Sequence, residues 1–253
     1  MFRLASVSNV VLKIALIVSI SQLLILLVLG NIPHTMSGKT VEFAHLAFMA
    51  FLNMILLVFI TSPIIYFWII SPFVKDRDNA ILQATHLAHY DQLTNLGNRR
   101  LINQNLEKIK ARCDRRNIFG AILLIDLNMF KQINDEYGHD AGDAILKSVS
   151  EQLTKAIRSE DVAGRFGGDE FVVLISHLDI DEKISRSNVL RIVQKIQTAI
   201  CTAIEFEDKE LKVSSSIGIC LFKESVCSND ELIKRADIAM YKAKKSDEKF
   251  AVY

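Results

Sequence analysis

Two runs without a charged side chain, Ile14–Gly38 over 25 positions and Phe43–Val74 over 32, constrain this chain most. A helix needs about 20 apolar residues to cross the hydrocarbon core of a bilayer. Both runs are long enough, and the second has length to spare for tilt or an interfacial extension. The first run also sits where a cleaved signal peptide would. Its apolar core exceeds the usual ~7–15 residues, however, and no clear small-x-small cleavage site follows, which favours an uncleaved anchor. The connection, about Asn31–Glu42, contains Pro33, Gly38 and Lys39 and is too short to fold alone. The spacing predicts a transmembrane hairpin over residues 1–75, with helices at about 12–31 and 45–72. Arg3 and Lys13 before the first span, with Lys75 and Arg77 after the second, outnumber Lys39 in the loop. The positive-inside rule then puts both termini in the cytoplasm. Pro63 and Pro72 fit either a kink in the second helix or its exit from the membrane.

The hairpin accounts for an uneven composition. The 253 residues are 50% hydrophobic, with 30 basic and 29 acidic side chains. Residues 1–75 hold only Arg3, Lys13, Lys39, Lys75 and Glu42, which leaves 26 basic and 28 acidic residues in the other 178. A mildly acidic remainder has no excess positive charge with which to bind a nucleic-acid polymer. Disorder is excluded by the hydrophobicity. Cys113, Cys201, Cys220 and Cys227 form no CxxC pair, so reduced thiols are expected rather than a disulfide framework or zinc site.

Residues 76–90 read as a helical linker. Val74, Ile81, Ala84 and Ala88 make a rough stripe that fits a short self-pairing stalk and a plain linker equally well. Residues 91–253 then alternate between helix and strand patterns. Asn98–Arg116 has helical spacing, Phe119–Ile125 is a short apolar run suited to a buried central strand, and Ala141–Ile157 is amphipathic. Asp161–Phe166 and Glu170–Ser176 flank Gly167-Gly168-Asp169, a hairpin whose glycines allow positive φ. Ile184–Ile204 reads as helix, Leu211–Leu221 as strand and Asp230–Lys245 as helix. The order α-β-α-α-β-β-α-β-α predicts an α+β sandwich on a largely antiparallel sheet.

Acidic residues fall at the ends of these elements. Asp126 ends the first strand, and Asp169 and Glu170 sit at the hairpin turn. If the strand lies beside the hairpin, three carboxylates meet at one edge, an arrangement tolerated mainly around a divalent cation. The segment Leu127-Asn128-Met129-Phe130-Lys131 turns into a helix and offers backbone N–H groups and a lysine to phosphate oxygens.

The stretch Gly164-Arg165-Phe166-Gly167-Gly168-Asp169-Glu170-Phe171 resembles the signature of the GGDEF diguanylate cyclases. Four further segments agree in order: Asp91-Gln92-Leu93-Thr94 with Asn98-Arg99, Asp126 to Asp135, Gly138-His139-Asp140-Ala141-Gly142-Asp143, and Ser216-Ile217-Gly218-Ile219. The resemblance implies a nucleotidyl-cyclase or polymerase-palm-like βαββαβ core with added elements. It also implies condensation of two GTP into cyclic di-GMP with release of two pyrophosphates, between two domains that each hold one GTP. On this resemblance, Asp126, the Leu127 carbonyl, Asp169 and Glu170 bind Mg²⁺ or Mn²⁺, and Asp169, with Glu170, serves catalysis by accepting the ribose 3′-OH proton. Asn134 and Asp143 hydrogen-bond guanine, while His139, Met129, Phe130, Lys131 and Lys244 hold the rest of the nucleotide. Arg158 and Asp161 match an RxxD site at which the product inhibits. The implied protein is a homodimer in the bacterial inner membrane, multi-pass, with its catalytic domain in the cytoplasm. One departure stands out: where the family usually carries Arg after the last helix, this chain carries Glu248, whose carboxylate repels triphosphate unless it points away or Lys245 or Lys249 compensates. A catalytically silent domain that binds cyclic di-GMP through Arg158 and Asp161 is the alternative.

Overall fold

The computed structural model describes residues 2–30, 39–207, 209–223, 227–246 and 248–253. The chain divides into two compact units, Met1–Gln83 and Ala84–Tyr253. In the first, α1 (Phe2–Gly30) packs against α2 (Lys39–Ile65), and residues 31–38 of the expected turn lie outside the described residues. A five-residue π-helical segment, Tyr66–Ile70, follows α2 and leads into α3 (Ser71–His89). Pro63 lies inside α2 and Pro72 just inside α3, so neither can donate a backbone hydrogen bond. The two prolines bracket the π segment, where Ser71 N–H reaches back to the Tyr66 carbonyl, and the widened turn carries the helical run past both.

Among the described residues, one helical stretch is long and apolar enough to cross a membrane by length and composition: Ala47–His89. Within the 29-residue α1, the described apolar stretch is Leu12–Ile25. The second of the two expected spans meets this measure, and the first remains an expectation. Helix limits differ, since the helical run continues to His89 with no break between the second span and the predicted linker.

In the second unit, β1 (Gly97–Asn98) precedes α4 (Arg99–Arg116), β2 (Gly120–Asn128), α5 (Phe130–Tyr137) and α6 (His139–Ala156). The hairpin β3 (Val162–Gly167) and β4 (Glu170–Ile175) leads to α7 (Glu182–Ile200). Next come the short strands β5 (Ile204–Phe206) and β6 (Lys209–Leu211), then β7 (Ser214–Phe222), α8 (Asn229–Lys245) and β8 (Phe250–Val252). Six strands form a mixed sheet in the order β1-β3-β4-β2-β7-β8, parallel only at its two outer pairings. The expected βαββαβ core is present as β2, α5–α6, β3, β4, α7 and β7.

Strand periodicity distributes β2 between two cores. Ala121, Leu123, Ile125 and Leu127 pack under α6 and α7, among Ile145, Val149, Val193 and Ile196. Ile122 and Leu124 face the other way, into Ile102 and Leu106 of α4 and Ala236 and Met240 of α8. This double burial explains the uninterrupted apolar run, because a central strand covered on both faces has no polar side to show. The strand does not stop at Asp126 as expected. It pairs with β7 as far as Asn128, whose carboxamide donates to Ser214 and accepts from Ser216. The predicted strand Leu211–Leu221 also divides: Leu211 closes the small β5–β6 hairpin, and β7 begins at Ser214.

Candidate functional site

The two-residue periodicity that sorts the core also orients the acidic residues. Asp126 follows Ile122 and Leu124 on the face of β2 covered by α4 and α8, and Glu170 precedes Val172 and Leu174 on the same face of β4. The two are direct register partners across the strands, so two like charges stand opposite one another, a destabilising pair unless compensated. Compensation comes from α8: Lys244 Nζ lies 2.6 Å from Asp126 Oδ1. Burial, then Asp126, Asp169 and Asp237, push the Glu170 carboxyl above its ordinary value, while Arg99 pulls the other way.

A group whose folded-state pKa is raised stabilises the fold when protonated, and that contribution is lost as pH rises through the folded value. Glu170→Gln is therefore expected to raise the melting temperature at neutral pH. The gain should shrink as pH falls and vanish below the ordinary carboxylate value of 4.5. Thermal melts of both proteins between pH 4 and 8 read this directly, and a gap that widened toward low pH would contradict it.

The turn between β3 and β4 holds Asp169 beside β2. Gly167 pairs with Glu170 across the hairpin, which leaves Gly168 and Asp169 as the loop. Gly168 has φ +52°, a left-handed conformation that glycine enters without a Cβ penalty. The Asp169 carbonyl accepts from Leu127 N–H at 3.3 Å, which ties the turn to the end of β2. Arg165 clamps the turn from behind, donating to the Gly168 carbonyl from Nε at 3.0 Å and Nη2 at 2.7 Å. Its Nη1 reaches Asp91 at 3.0 Å. Burial pushes the Asp91 carboxyl up, but hydrogen bonds from Thr94 and the Arg165 guanidinium outweigh it and hold it below its ordinary value. The entry motif thus braces the signature turn from 74 residues away.

Expected nucleotide contacts gather on α5 and α6. Met129 precedes α5 with φ +61°, unusual for a residue with a side chain, and no side chain caps that helix. The first N–H groups, including those of Phe130 and Lys131, are of the kind that phosphate oxygens satisfy. Asn134 is half-buried, and a Cβ on Gly142 would collide with its carboxamide oxygen. Glycine is therefore required where α6 passes the Asn134 side chain. Asp143 is half-buried one residue further along α6, and His139 is exposed at that helix's start.

The first strand does lie beside the hairpin, and Asp126 and Asp169 both act on Glu170 at this edge of the sheet. Among the described residues, no group of three His, Cys, Asp or Glu side chains could hold a metal ion as they stand. Asp126 and Glu170 share a face of the sheet, while Asp169 belongs to the turn. The Lys244 ammonium occupies the acceptor side of Asp126. Crowded acceptor oxygens answered by a cation are nevertheless a donor set of the kind that suits a hard divalent ion.

Two residues to which the sequence alone assigns no role, Arg99 and Asp237, carry electrostatic weight here. Asp237, Met240 and Lys244 follow i, i+3, i+7 spacing on α8, a signal that could have placed Asp237 on the site-facing side. Glu248 lines a cavity of about 480 Å³ together with Lys244, Lys249, Met129 and Asn128. Lys245 is directed elsewhere, its ammonium 4.5 Å from the centre of the Tyr241 ring.

The RxxD pair is placed differently from two free ligand-gripping side chains. Asp161 is 8% exposed. Its carboxylate accepts from Ser176 N–H at 3.1 Å and Arg158 N–H at 3.2 Å. Burial pushes this carboxyl up against the pull of those donors. Arg158 is exposed, 3.6 Å from Glu160. Both residues line a cavity of about 330 Å³ that also receives His177, Arg191 and Lys195.

A family model described as "Diguanylate cyclase, GGDEF domain" matches residues 88–249. The bifunctional diguanylate cyclase/cyclic di-GMP phosphodiesterase MucR of Pseudomonas aeruginosa is 37% identical over 158 residues, 62% of this chain and 22% of that protein. Diguanylate cyclase TpbB of the same organism is 36% identical over 169 residues, 66% of this chain and 37% of that protein. The chain thus spans about a fifth to two-fifths of the length of these relatives. The solved GGDEF domain of TpbB superposes with a TM-score of 0.58 at 34% identity, covering 62% of this chain and 90% of that one.

Proposed function

Because the chain belongs to the GGDEF domain family of diguanylate cyclases, we propose that it condenses two GTP into cyclic di-GMP and two pyrophosphates. The observation that carries this reading is the cross-strand pair Asp126 and Glu170 beside the Gly168–Asp169 turn, with Lys244 on Asp126. In each half-reaction, the 3′-oxygen of one GTP attacks the α-phosphorus of the other, and pyrophosphate leaves as that P–O bond breaks. Positioning and charge neutralisation carry most of such a transfer. Asp169 accepts the proton of the attacking hydroxyl. Asn134 and Asp143 hydrogen-bond the guanine edge, for which a carboxylate suits paired N–H donors that adenine lacks. His139, the α5 N-terminus at Met129–Lys131 and Lys244 hold the nucleotide. Asp126, the Leu127 carbonyl, Asp169 and Glu170 are the residues that would hold Mg²⁺ or Mn²⁺. When bound, the ion neutralises phosphate oxygens.

Each copy contributes one GTP, so two copies must face each other. The Ala47–His89 stretch supports a membrane anchor, and the positive residues flanking the apolar runs put the catalytic unit in the cytoplasm. With α1 as the second arm, the anchor is a hairpin in the bacterial inner membrane. Product inhibition through Arg158 and Asp161 is supported by the basic cavity they share with Arg191 and Lys195. Glu248 in the phosphate-side cavity is the one observation favouring the alternative of a silent cyclic di-GMP receptor.

Incubating the full chain with labelled GTP and Mg²⁺ tests the reading: labelled cyclic di-GMP is expected, with ATP giving no cyclic dinucleotide. Absence of product under conditions where a related cyclase works would overturn it. Arg165→Ala is expected to lower kcat on the order of 10²-fold, the cost of misplacing a reacting group by about 1 Å. Steady-state kinetics check this, and an unchanged kcat would mean the turn keeps its place unclamped.

A further inference from the structure

We propose that Lys249 supplies the cation that holds the nucleotide's phosphate chain in the cavity beside Met129 and offsets the opposing charge of Glu248; this rests on the cyclase reading. The cavity, about 480 Å³, is lined by Asn128, Met129, Lys244, Glu248 and Lys249, and by Ser215. It therefore adjoins both the uncapped start of α5 and the site face of α8.

Three lysines are close enough in sequence to answer Glu248; Lys244 already has its own place beside Asp126 and the nucleotide, and Lys245 is turned elsewhere, over the Tyr241 ring. Lys249 lines the cavity and, among the described residues, makes no ion pair, nor does Glu248. Neither charge is spent on the other.

The backbone of Lys249 is fixed from two sides. Its carbonyl accepts from Gln197 Nε2 at 2.6 Å and from Ile217 N–H at 3.1 Å. A lysine side chain loses less freedom on binding an anion when its own backbone is already anchored. Ser215 adds a second unspent group: it is 5% exposed, and its buried Oγ has no hydrogen-bond partner among the described residues. An exposed ammonium and an orphaned hydroxyl line this cavity, and Met129 joins it to the uncapped helix N–H groups of α5, so three kinds of donor lack acceptors here. A polyphosphate chain is the ligand class that supplies acceptors to all three. Glu248 opposes that ligand and sets its affinity below what Lys249 alone would give.

The test compares Lys249→Ala, Lys249→Arg, Glu248→Gln and Lys245→Ala in the full chain, reading GTP dissociation constants by titration together with KM and kcat. Lys249→Ala is expected to raise both the dissociation constant and KM roughly tenfold, the scale of one charge-assisted contact, with kcat little changed. Lys249→Arg should restore binding, Glu248→Gln should tighten it several-fold, and Lys245→Ala should match the parent. Lys249 is exposed, so these changes leave the core intact. Parent-like GTP affinity in Lys249→Ala, or an equal loss in Lys245→Ala, would overturn the assignment while leaving the cyclase reading in place. A parent protein that neither binds GTP nor makes product would overturn the cyclase reading itself, and this assignment with it.

Discussion

Asp169→Ala is expected to lower cyclic di-GMP formation by about 10²–10⁴-fold, the usual worth of a positioned proton acceptor, while the protein keeps its fold. The turn survives the substitution because its supports are backbone groups. The Asp169 carbonyl, not its carboxylate, receives Leu127 N–H, and Arg165 grips the Gly168 carbonyl. Removing the carboxylate also takes one like charge away from Glu170, so thermal stability should not fall. Quantifying product from GTP alongside a thermal melt separates the two effects. A variant with near-parental turnover would remove Asp169 from the chemistry, and one that melts early would mean its side chain holds the turn.

The second large effect is on stability. A Cβ at Gly218 would collide with the Ala236 carbonyl and Met240 N–H, with the Met240 Cβ at 2.7 Å. Strand β7 and helix α8 therefore meet backbone to backbone, with no flexible side chain between them to give way. Gly218→Ala forces the helix off the sheet, and overpacking of this kind costs about 3 kcal/mol at the upper end of its range. For a unit of this size that lowers Tm by roughly 6–12 °C. Activity should fall further than stability alone dictates, because α8 carries both Lys244 and Asp237 to the site. Gly168→Ala is the contrast: nothing lies within 4 Å of its added Cβ, and only φ +52° resists it. Its cost is that of one left-handed residue, about 1–2 kcal/mol. Denaturant titration of the two variants tells steric from conformational cost, and equal losses would contradict the close approach of α8.

These two glycines mark how far the sequence could be read. Gly168 announces itself locally, because a Gly-Gly pair between alternating apolar runs predicts a positive-φ turn. Gly218 belongs to a recognisable motif, but its reason is a helix that arrives from later in the chain, and no local pattern contains that contact. The same divide runs through the site. The run Ala121–Ile125 shows a strand buried on both faces, and the acidic residues are legible as candidates. The brace from Asp91 to Arg165, and the influence of Asp237 and Arg99 on Glu170, depend on packing between elements far apart in sequence. Strands β1 and β8, of two and three residues, are too short to carry any periodicity and exist only because a neighbour supplies the ladder. Apolarity located the first unit, and among the described residues the stretch from Ala47 has the length that crossing a bilayer requires.

Joining two GTP molecules into one product fixes the stoichiometry of the reaction. Measuring, in one reaction with Mg²⁺, the GTP consumed and the cyclic di-GMP and pyrophosphate released by the full chain reads it. Two GTP consumed and two pyrophosphates released are expected for each cyclic di-GMP. GTP loss without the cyclic dinucleotide, or no GTP loss at all, would contradict it.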